Sequence, residues 1–365
     1  MWTTTSCVRA RPETAGHDHA LASPGQSSRR ARHWQGVTRL VSGRVAVTGA
    51  NGFIGRNVVR HLHDAGWEVR AIVRPGRGCP LPDGVELAPA RFVAADLVRA
   101  AAGSEVIVHA AGRTRAATTR QFETANVEVT RQVARAAVEL GARLVHVSSQ
   151  AAAGPGTLER PRSEDDPPCP LTAYGWSKLA AEDAVKTSRQ LRWTIVRPAL
   201  VYGPADRNAL ALFRLARRGI ALQVPGSPTT AYTFVHVDDV ARGIEAAATA
   251  VAAEREVFFL GHPRSDTADT LADTLERVMG RSCRRVRIPY ALLRVAAAVG
   301  DVATRCGRPL ALDRARLTEL MAEGWVCSVE KARDRLGFSA RIGLLEGFVA
   351  TAAWYARQGL LDHQA

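Results

Sequence analysis

The sequence lacks the clustered cysteines and histidines that hold metals or form redox disulfides. No Cys-x-x-Cys pair and no His-rich run occurs, and the six cysteines lie far apart, at Cys7, Cys79, Cys169, Cys283, Cys306 and Cys327. Such spacing is typical of neither a zinc site nor a catalytic dithiol. We therefore predict no metal site and a reduced, cytoplasmic protein.

Long apolar runs are also missing. A helix that spans a bilayer needs about 18 to 20 mostly apolar residues. The best candidate, residues 289–303, is interrupted by Arg294 and Asp301. We predict no membrane span and interpret this segment as a helix that packs within the fold.

Lysine is scarce although the chain is strongly basic. The formal net charge of the 365 residues is +14, but only Lys178, Lys186 and Lys331 of the 49 basic residues are lysines. The arginines are scattered over the whole length instead of forming the cluster that a nucleic-acid groove needs. We expect no nucleic-acid partner, whereas a small ligand that carries phosphate fits the charge.

Residues 1–42 show no hydrophobic period and contain a short basic run at residues 27–32. Such composition predicts a disordered, basic N-terminal extension. A tail with a binding role and a start codon assigned too early are alternatives that the sequence does not separate.

From Arg44 onward, short apolar runs alternate with segments of helical period. The runs predict strands at residues 45–48, 69–73, 91–94, 106–109, 144–148 and 194–197. Helices are predicted between them, at residues 54–65, 96–101, 118–140 and 173–189. This order favours an α/β fold with a doubly wound parallel sheet of the Rossmann type. After Pro198 the order is less regular, which favours a smaller C-terminal α/β lobe.

A glycine-rich turn, Thr48-Gly-Ala-Asn-Gly-Phe-Ile-Gly55, joins the first strand to the first long helix. Glycines there let the chain bend tightly and let a pyrophosphate approach the amides of the helix N-terminus. The predicted contacts to a dinucleotide are Gly49, Asn51, Gly52, Phe53, Ile54 and Gly55. We therefore interpret residues 43–198 as an NAD(P)-binding domain and residues 199–365 mainly as a substrate-binding lobe, with some return to the first domain.

The end of the second strand predicts which dinucleotide binds. A carboxylate there would favour NAD by binding the ribose 2′-hydroxyl. This chain has Arg74 instead, followed closely by Arg77. Because the guanidinium of Arg74, alone or together with that of Arg77, could donate hydrogen bonds to a 2′-phosphate, we expect NADP, with NAD as the alternative.

Tyr174 and Lys178 lie one helical turn apart in the sequence Ala173-Tyr-Gly-Trp-Ser-Lys178. A positive charge near a phenol stabilises its anion and brings its pKa toward the working range. The pair can therefore exchange a proton with a substrate. Its spacing is common by chance, so its meaning depends on the motifs upstream.

Taken in order, Gly49-x-x-Gly52-x-x-Gly55, His109-Ala-Ala-Gly112 and Tyr174-x-x-x-Lys178 make the sequence resemble the extended short-chain dehydrogenase/reductase family, which includes the NAD-dependent epimerase/dehydratase enzymes. The resemblance covers about residues 43–358. It implies a catalytic set of Ser149, Tyr174 and Lys178, since the active serine of the family precedes Gly154 by five positions.

The same resemblance implies further cofactor contacts. Asp96 and Leu97 match the family's adenine-contacting pair, and Asn126 matches its helix asparagine. Tyr174 and Lys178 would also contact the nicotinamide ribose. The remaining implied contacts are Ala110, Ala111 and Gly112, together with Pro198 and Val201 beside the nicotinamide.

Positions at which this sequence differs from the family's motifs indicate which of the family's reactions to expect. Gln150-Ala151 stands where dehydratases carry Asp-Glu, and Tyr232 stands where many nucleotide-sugar epimerases carry an arginine. The motifs look most like the 3β-hydroxysteroid dehydrogenase and dihydroflavonol reductase branch. We expect an alcohol/ketone oxidoreductase acting on a small, fairly apolar substrate, with Tyr174 as proton donor or acceptor.

A nucleotide-sugar epimerase that uses a transient 4-keto intermediate is the alternative, and a non-catalytic NAD(P)-binding scaffold is a third hypothesis. Helices 118–140 and 173–189 form a frequent dimerisation surface in this family. A homodimer is therefore a further expectation.

Overall fold

Short apolar runs and glycine turns divide the chain into many brief strands. This computed structural model describes residues 43–78, 80–223, 230–308, 310 and 312–361, so the predicted disordered extension 1–42 lies outside the described residues. The strands are β1 Arg44–Thr48, β2 Glu68–Val73, β3 Glu86–Pro89, β4 Val106–His109, β5 Arg143–Val147, β6 Trp193–Pro198, β7 Leu200–Tyr202, β8 Ile220–Gln223, β9 Ala231–Tyr232, β10 Phe234–His236, β11 Glu256–Leu260, β12 Asp266–Thr267, β13 Arg284–Arg287 and β14 Gly324–Trp325.

Segments of helical period alternate with these strands. The helices are α1 Phe53–Asp64, α2 Ala94–Ala100, α3 Thr119–Phe122, α4 Val129–Leu140, α5 Gln150–Ala153, α6 Ala173–Lys186, α7 Leu210–Arg217, α8 Val237–Thr249, α9 Ala268–Met279, α10 Tyr290–Arg305, α11 Arg314–Leu320, α12 Glu330–Leu336 and α13 Leu344–Arg357. A π-helical segment, Glu123–Glu128, joins α3 to α4, so the helix predicted at residues 118–140 is continuous but irregular.

Seven strands form one parallel sheet in the order β11-β6-β5-β4-β1-β2-β3. All of its neighbouring pairs run parallel. The direction of winding reverses between β1 and β4, and a crevice opens there at the carboxyl ends of the strands. The sheet confirms the predicted Rossmann-type fold and positions the site at this edge.

Apolar side chains cover both faces of the sheet. On one face, Val58 and Leu62 of α1 pack with Val240 and Ile244 of α8 over the central strands. On the other face, α2, α4 and α6 contribute a second core that includes Val133. Strands enclosed in this way are apolar on both sides, which is why most of them could be read from the sequence.

The third strand is the exception, and its prediction at residues 91–94 is wrong. The strand is β3, Glu86–Pro89, at the edge of the sheet, where only Ala88 is buried. Phe92 instead packs against the core under α2, and Val93 precedes the first turn of that helix. An edge strand needs no apolar pattern on both faces, so its sequence looked less strand-like than the apolar residues that follow.

Beyond β6 the chain builds smaller sheets beside the large one. β7 pairs with β10, β8 pairs with β13, and β9 lies between β12 and β14. Phe213, Phe348 and Tyr355 lie in the core of this part. Helices α10 and α11 pack on each other through Leu293, Ala297 and Leu317.

Candidate active site

The turn between β1 and α1 is shaped by its glycines. Gly49 adopts φ +74°, and a Cβ at that position would lie 2.6 Å from the Ala111 nitrogen. A Cβ on Gly55 would lie 2.1 Å from the Gly49 carbonyl oxygen. The turn therefore packs tightly against both its own helix and the loop after β4, and a side chain at either glycine would break it.

The first turn of α1 offers free donors to a ligand. Gly52 is its N-cap and supplies no side-chain hydrogen bond, and the first turn contains no acidic residue. Asn51 and Gly52 are exposed, while Phe53 and Ile54 are half-buried. Backbone N-H groups at a helix start bind anions well, so these residues fit the pyrophosphate of a dinucleotide.

The end of β2 carries the predicted ribose-binding arginine. Arg74 is exposed, and its guanidinium lies 5.8 Å from the centre of the Phe92 ring. Asp96 accepts a hydrogen bond from Arg91 Nε at 2.7 Å, while Leu97 is buried in the core. The aromatic face holds Arg74 beside the edge of the sheet, within the region where an adenosine would lie.

The loop after β4 is fixed from behind by Asn126. Its Oδ1 accepts a hydrogen bond from Arg113 N at 2.7 Å, and its Nδ2 donates to Arg113 O and to Ser177 Oγ. The side chain is almost fully buried within the π-helical segment. Asn126 thereby joins the loop containing Ala110, Ala111 and Gly112 to helix α6.

Ser149 and Tyr174 lie together at the carboxyl end of β5. Ser149 is the N-cap of α5, and its hydroxyl accepts a hydrogen bond from Ala151 N at 3.2 Å. Tyr174 lies in the first turn of α6, beside Phe122. Burial raises the pKa of the Tyr174 phenol, and a hydrogen bond with the Ser149 side chain lowers it to a smaller extent. The phenol is therefore protonated at neutral pH.

Ser148 and Ser149 have different surroundings although they are neighbours. The Ser148 hydroxyl is buried and donates to Glu182 Oε1 at 2.6 Å. Ser149 faces Tyr174 instead. The choice of Ser149 by spacing thus selects the serine that a substrate near Tyr174 could reach.

Lys178 lies one turn after Tyr174 and is deeply buried. Its ammonium donates a hydrogen bond to Val147 O at 2.8 Å, at the end of β5. Burial lowers the pKa of Lys178 to about 8, with an opposing contribution from Glu182. The expected lowering of the Tyr174 pKa by Lys178 is not seen in this structure: burial raises the pKa of the phenol, the opposing contributions come from Ser149 and Arg316, and the Lys178 ammonium is hydrogen-bonded to Val147 O.

A buried ion-pair network behind Lys178 was missed by sequence reasoning. Glu182 is fully buried and accepts two hydrogen bonds from Arg197, from Nε at 2.9 Å and from Nη2 at 2.7 Å, in addition to the one from Ser148. It joins α6 to β5 and β6. The sequence signal was present, since Glu182 follows Lys178 by four residues and Arg197 precedes Pro198, but neither residue carries the reaction's chemistry.

A cavity of about 230 Å³ opens on the Tyr174 side chain. Its charged lining was also missed, because it comes from the loop after β4 and from α10 and α11. Arg115 donates to Leu310 O at 3.1 Å and to Asn208 Oδ1 at 3.2 Å. Glu319 accepts a hydrogen bond from Thr172 Oγ1 at 3.2 Å and lies 3.5 Å from Arg316 Nη1, and burial raises the pKa of its carboxyl. The cavity can thus hold a polar group beside the phenol.

Pro198 and Val201 lie where the large sheet meets the smaller ones. Pro198 ends β6, and Val201 lies in β7, paired with Val235 of β10. Both are near the carboxyl edge that carries Ser149. This position agrees with a contact to the nicotinamide.

His236 and Asp239 serve the fold. The His236 ring accepts a hydrogen bond from Asp238 N at 3.2 Å and caps α8. Asp239 accepts from the backbone N-H groups of Arg341 and Ile342, both at 2.9 Å. In the part of the chain that the structure describes, no group of three or more His, Cys, Asp or Glu side chains could hold a metal ion.

The sheet order and the edge at which these side chains meet define a class of protein: Rossmann-fold enzymes that exchange a hydride between a nicotinamide cofactor and a substrate. Comparison with known proteins agrees. The model of the NAD dependent epimerase/dehydratase family matches residues 45–261, and the chain belongs to that family. The predicted resemblance to the extended short-chain dehydrogenases is thereby confirmed.

The chain is similar to two reductases over nearly their whole lengths. It is 34% identical to "Ceramide reductase" of Caulobacter vibrioides (strain NA1000 / CB15N) over 329 residues, 87% of this chain and 96% of that protein. It is 30% identical to "4-hydroxy-2-methyl-3-oxo-4-farnesyl-3,4-dihydroquinoline-1-oxide ketoreductase" of Stigmatella aurantiaca, over 88% of this chain and 100% of that protein. These relatives agree with the predicted reductase branch.

A solved structure shows the same architecture. "MoeE5 in complex with UDP-glucuronic acid and NAD" superposes with a TM-score of 0.67 at 28% identity, over 87% of this chain and 100% of that chain. Relatives and fold together show that the protein is a nicotinamide-dependent oxidoreductase or epimerase.

Proposed function

We propose that this protein is an NADP-dependent oxidoreductase that interconverts a ketone and an alcohol in an amphiphilic, long-chain substrate. The observation that carries the proposal is the Tyr174 phenol, which is protonated, faces Ser149 and opens into a cavity at the carboxyl edge of the sheet. The two reductase relatives support it.

The side chains have distinct tasks in ketone reduction. The backbone N-H groups of the turn from Gly49 to Gly55 would hold the pyrophosphate of a nicotinamide cofactor, which when bound would supply the hydride for the carbonyl carbon. Ser149 donates a hydrogen bond to the carbonyl oxygen, and Tyr174 transfers its proton to that oxygen, so that the ketone becomes an alcohol. Lys178 would hold the nicotinamide ribose, and its positive charge would stabilise the phenolate that remains.

The substrate class follows from two adjoining spaces. The Tyr174 cavity has charged walls at Arg115, Arg316 and Glu319. A groove of about 860 Å³ runs beside it, on the other face of α11 and along the first half of α10, and its lining is mainly apolar. A molecule with a polar group at the reacting carbon and a long alkyl chain would fill both, in keeping with the names of both relatives. Residues after 199 would then supply most of the substrate site.

The preference for NADP is proposed from Arg74. Its guanidinium is held over Phe92 and has no carboxylate at ion-pair distance among the described residues. Replacing Arg74 by Ala should lower the ratio of kcat/KM for NADPH to that for NADH by about 10- to 100-fold, because a charge-assisted hydrogen bond is lost. Arg277→Ala, at an exposed arginine of α9 in the smaller lobe, is the matched control. An unchanged ratio in Arg74→Ala would show that Arg74 does not determine the preference for NADPH.

A nucleotide-sugar epimerase is the second candidate. The arginines of the Tyr174 cavity could bind a diphosphate, and MoeE5 was solved with UDP-glucuronic acid. Tyr232, at the position where an arginine is common in such enzymes, argues against this reading; its ring is buried in the core of the smaller sheets.

One assay separates the two candidates. The purified protein is mixed with NADPH and ketones of graded alkyl-chain length, with and without a polar head group, and in parallel with UDP-glucose and UDP-glucuronic acid. We expect cofactor oxidation that becomes faster with chain length and no change in the sugars. Isomerised sugar without net cofactor oxidation would instead establish the epimerase.

A further inference from the structure

Helix α10 carries an apolar face that no other described part of the chain covers. Leu292, Val295, Val299 and Val302 recur every three or four residues and share one side of the helix, with exposed fractions of 60%, 63%, 55% and 59%. We call these four side chains the α10 stripe. The opposite side of the helix packs on α11. The sequence predicted that this segment packs within the fold, and only one side of it does.

A contiguous apolar stripe of this kind marks an interaction surface. The charges around it indicate what kind of surface it meets. Residues 281–316 contain nine arginines and two aspartates. Asp301 is already paired with Arg314 at 3.3 Å. Arg294, Arg305 and Arg308 are exposed, and no carboxylate of the described residues lies at ion-pair distance from them.

We propose that the α10 stripe docks on the surface of an anionic lipid bilayer. The stripe would enter the region just below the head groups, while the surrounding arginines contact phosphates. The helix has 16 residues, about 24 Å of length, and would lie in the plane of the membrane. Within the described residues, no helix is long and apolar enough to cross a bilayer.

Charge complementarity favours a bilayer over a second copy of this chain. Two copies that paired symmetrically through the stripe would bring the same arginines face to face. Repulsion between them would oppose the gain from apolar burial. An anionic bilayer satisfies both, because the acyl chains below the head groups contact the stripe and the phosphates pair with the arginines.

The position of the groove agrees with this orientation. Tyr290 and Val295 line the apolar groove, and Val295 also belongs to the stripe. From there α10 continues to Asp301 and Thr304, which line the Tyr174 cavity. A long-chain molecule could therefore leave the bilayer and reach Tyr174 along one helix. Docking goes beyond the proposed function, and it can be measured without any substrate.

The test is co-sedimentation of the full chain with vesicles, either of phosphatidylcholine alone or of phosphatidylcholine mixed with phosphatidylglycerol. We expect binding to the anionic vesicles that weakens as salt is added. The double variant Val295→Glu/Val299→Glu should bind about tenfold or more weakly, because it places two carboxylates where apolar side chains entered the lipid. Val251→Glu is the matched control, since Val251 is 89% exposed on the turn between α8 and β11.

Three results would overturn the proposal. The wild type could fail to bind anionic vesicles, or the double variant could bind them as tightly as the wild type, which would assign binding to another part of the chain. Light scattering could also show that the wild type is a dimer and the double variant a monomer, which would mean that a second copy of the chain covers the stripe. Thermal unfolding and NADPH titration establish that each variant is folded before its binding is compared.

Discussion

At the scale of single residues, burial sets the protonation of two side chains in the proposed active site. Burial raises the pKa of Tyr174 and lowers that of Lys178 to about 8. Burial favours the neutral form of both groups. Tyr174 therefore keeps the proton that it could donate, while protonated Lys178 lowers the stability of the fold. In the proposed reaction, Tyr174 would therefore begin as the proton donor.

The variant Lys178→Met tests how much the buried ammonium lowers the free energy of unfolding. The pKa of Lys178 lies near 8 in the folded chain, below its ordinary value of 10.5. Protonated Lys178 therefore destabilises the fold at pH below 8, and the penalty fades as the pH rises from 8 to 10.5. At pH 7 we expect Lys178→Met to unfold with a free energy equal to that of the wild type or higher, by up to about 3 kcal/mol, while reductase activity is lost.

Urea denaturation of both proteins at pH 7 and pH 10.5 measures this difference. The advantage of the variant should shrink at the higher pH. A clear loss of stability at pH 7 would mean that the hydrogen bond to Val147 outweighs the burial of the charge.

The sequence predicted most about the residues that are proposed to carry chemistry. Tyr174, Lys178 and Ser149 stand at spacings that a motif records, and the structure places them at one edge. Glu319 and Arg115 belong to the same cavity but come from distant segments with no motif of their own. Their role depends on tertiary packing, which spacing along the chain does not contain.

At the scale of elements, the turn before α1 depends on the absence of a side chain at Gly55. Gly55→Ala would place a Cβ 2.1 Å from the Gly49 carbonyl oxygen, so the turn must open. We expect a cost of about 1 to 3 kcal/mol or more in NADPH binding. Gly78→Ala is the matched control, because nothing lies within 4 Å of its added Cβ. Fluorescence titration of NADPH compares the two, and equal affinities would contradict the predicted phosphate turn.

Helix α6 is anchored by the buried pair of Glu182 and Arg197. Glu182→Gln leaves the Arg197 guanidinium buried without a charge partner, so we expect the free energy of unfolding to fall by about 3 kcal/mol. It should also lower the pKa of Lys178 further, since Glu182 raises it. Asp183→Asn, on the same helix but less buried, is the control. An unfolding curve for Glu182→Gln that matches the control would show that the pair contributes little.

The predictability of elements followed their burial. β1, β4 and β5 are enclosed on both faces, and their apolar runs were visible in the sequence. β3 lies at an edge, and several strands of the smaller sheets, such as β9 and β14, are two residues long. Such short strands form by pairing with segments that are distant in the sequence, and their own residues show no pattern that predicts them.

At the scale of the whole molecule, two spaces lie on different faces of α11, and both are lined in part by α10. The charged cavity reaches Tyr174, and the apolar groove opens toward the α10 stripe. The turn before α1 forms the proposed cofactor site, and this pair of helices forms much of the proposed substrate site. The exposure of the stripe could not be predicted, because composition alone does not distinguish an apolar helix that packs from one that stays open.

The most direct test of the central claim is the activity of Tyr174→Phe. The measurement takes the ketone that the wild type reduces fastest and compares kcat, with NADPH affinity measured by titration. Loss of the proton donor should lower kcat by about 10²- to 10⁴-fold, while the dissociation constant of NADPH changes far less, because the turn from Gly49 to Gly55 holds the pyrophosphate in both proteins. A Tyr174→Phe protein that reduces the same ketone at the wild-type rate would contradict the assignment of Tyr174 as the acid.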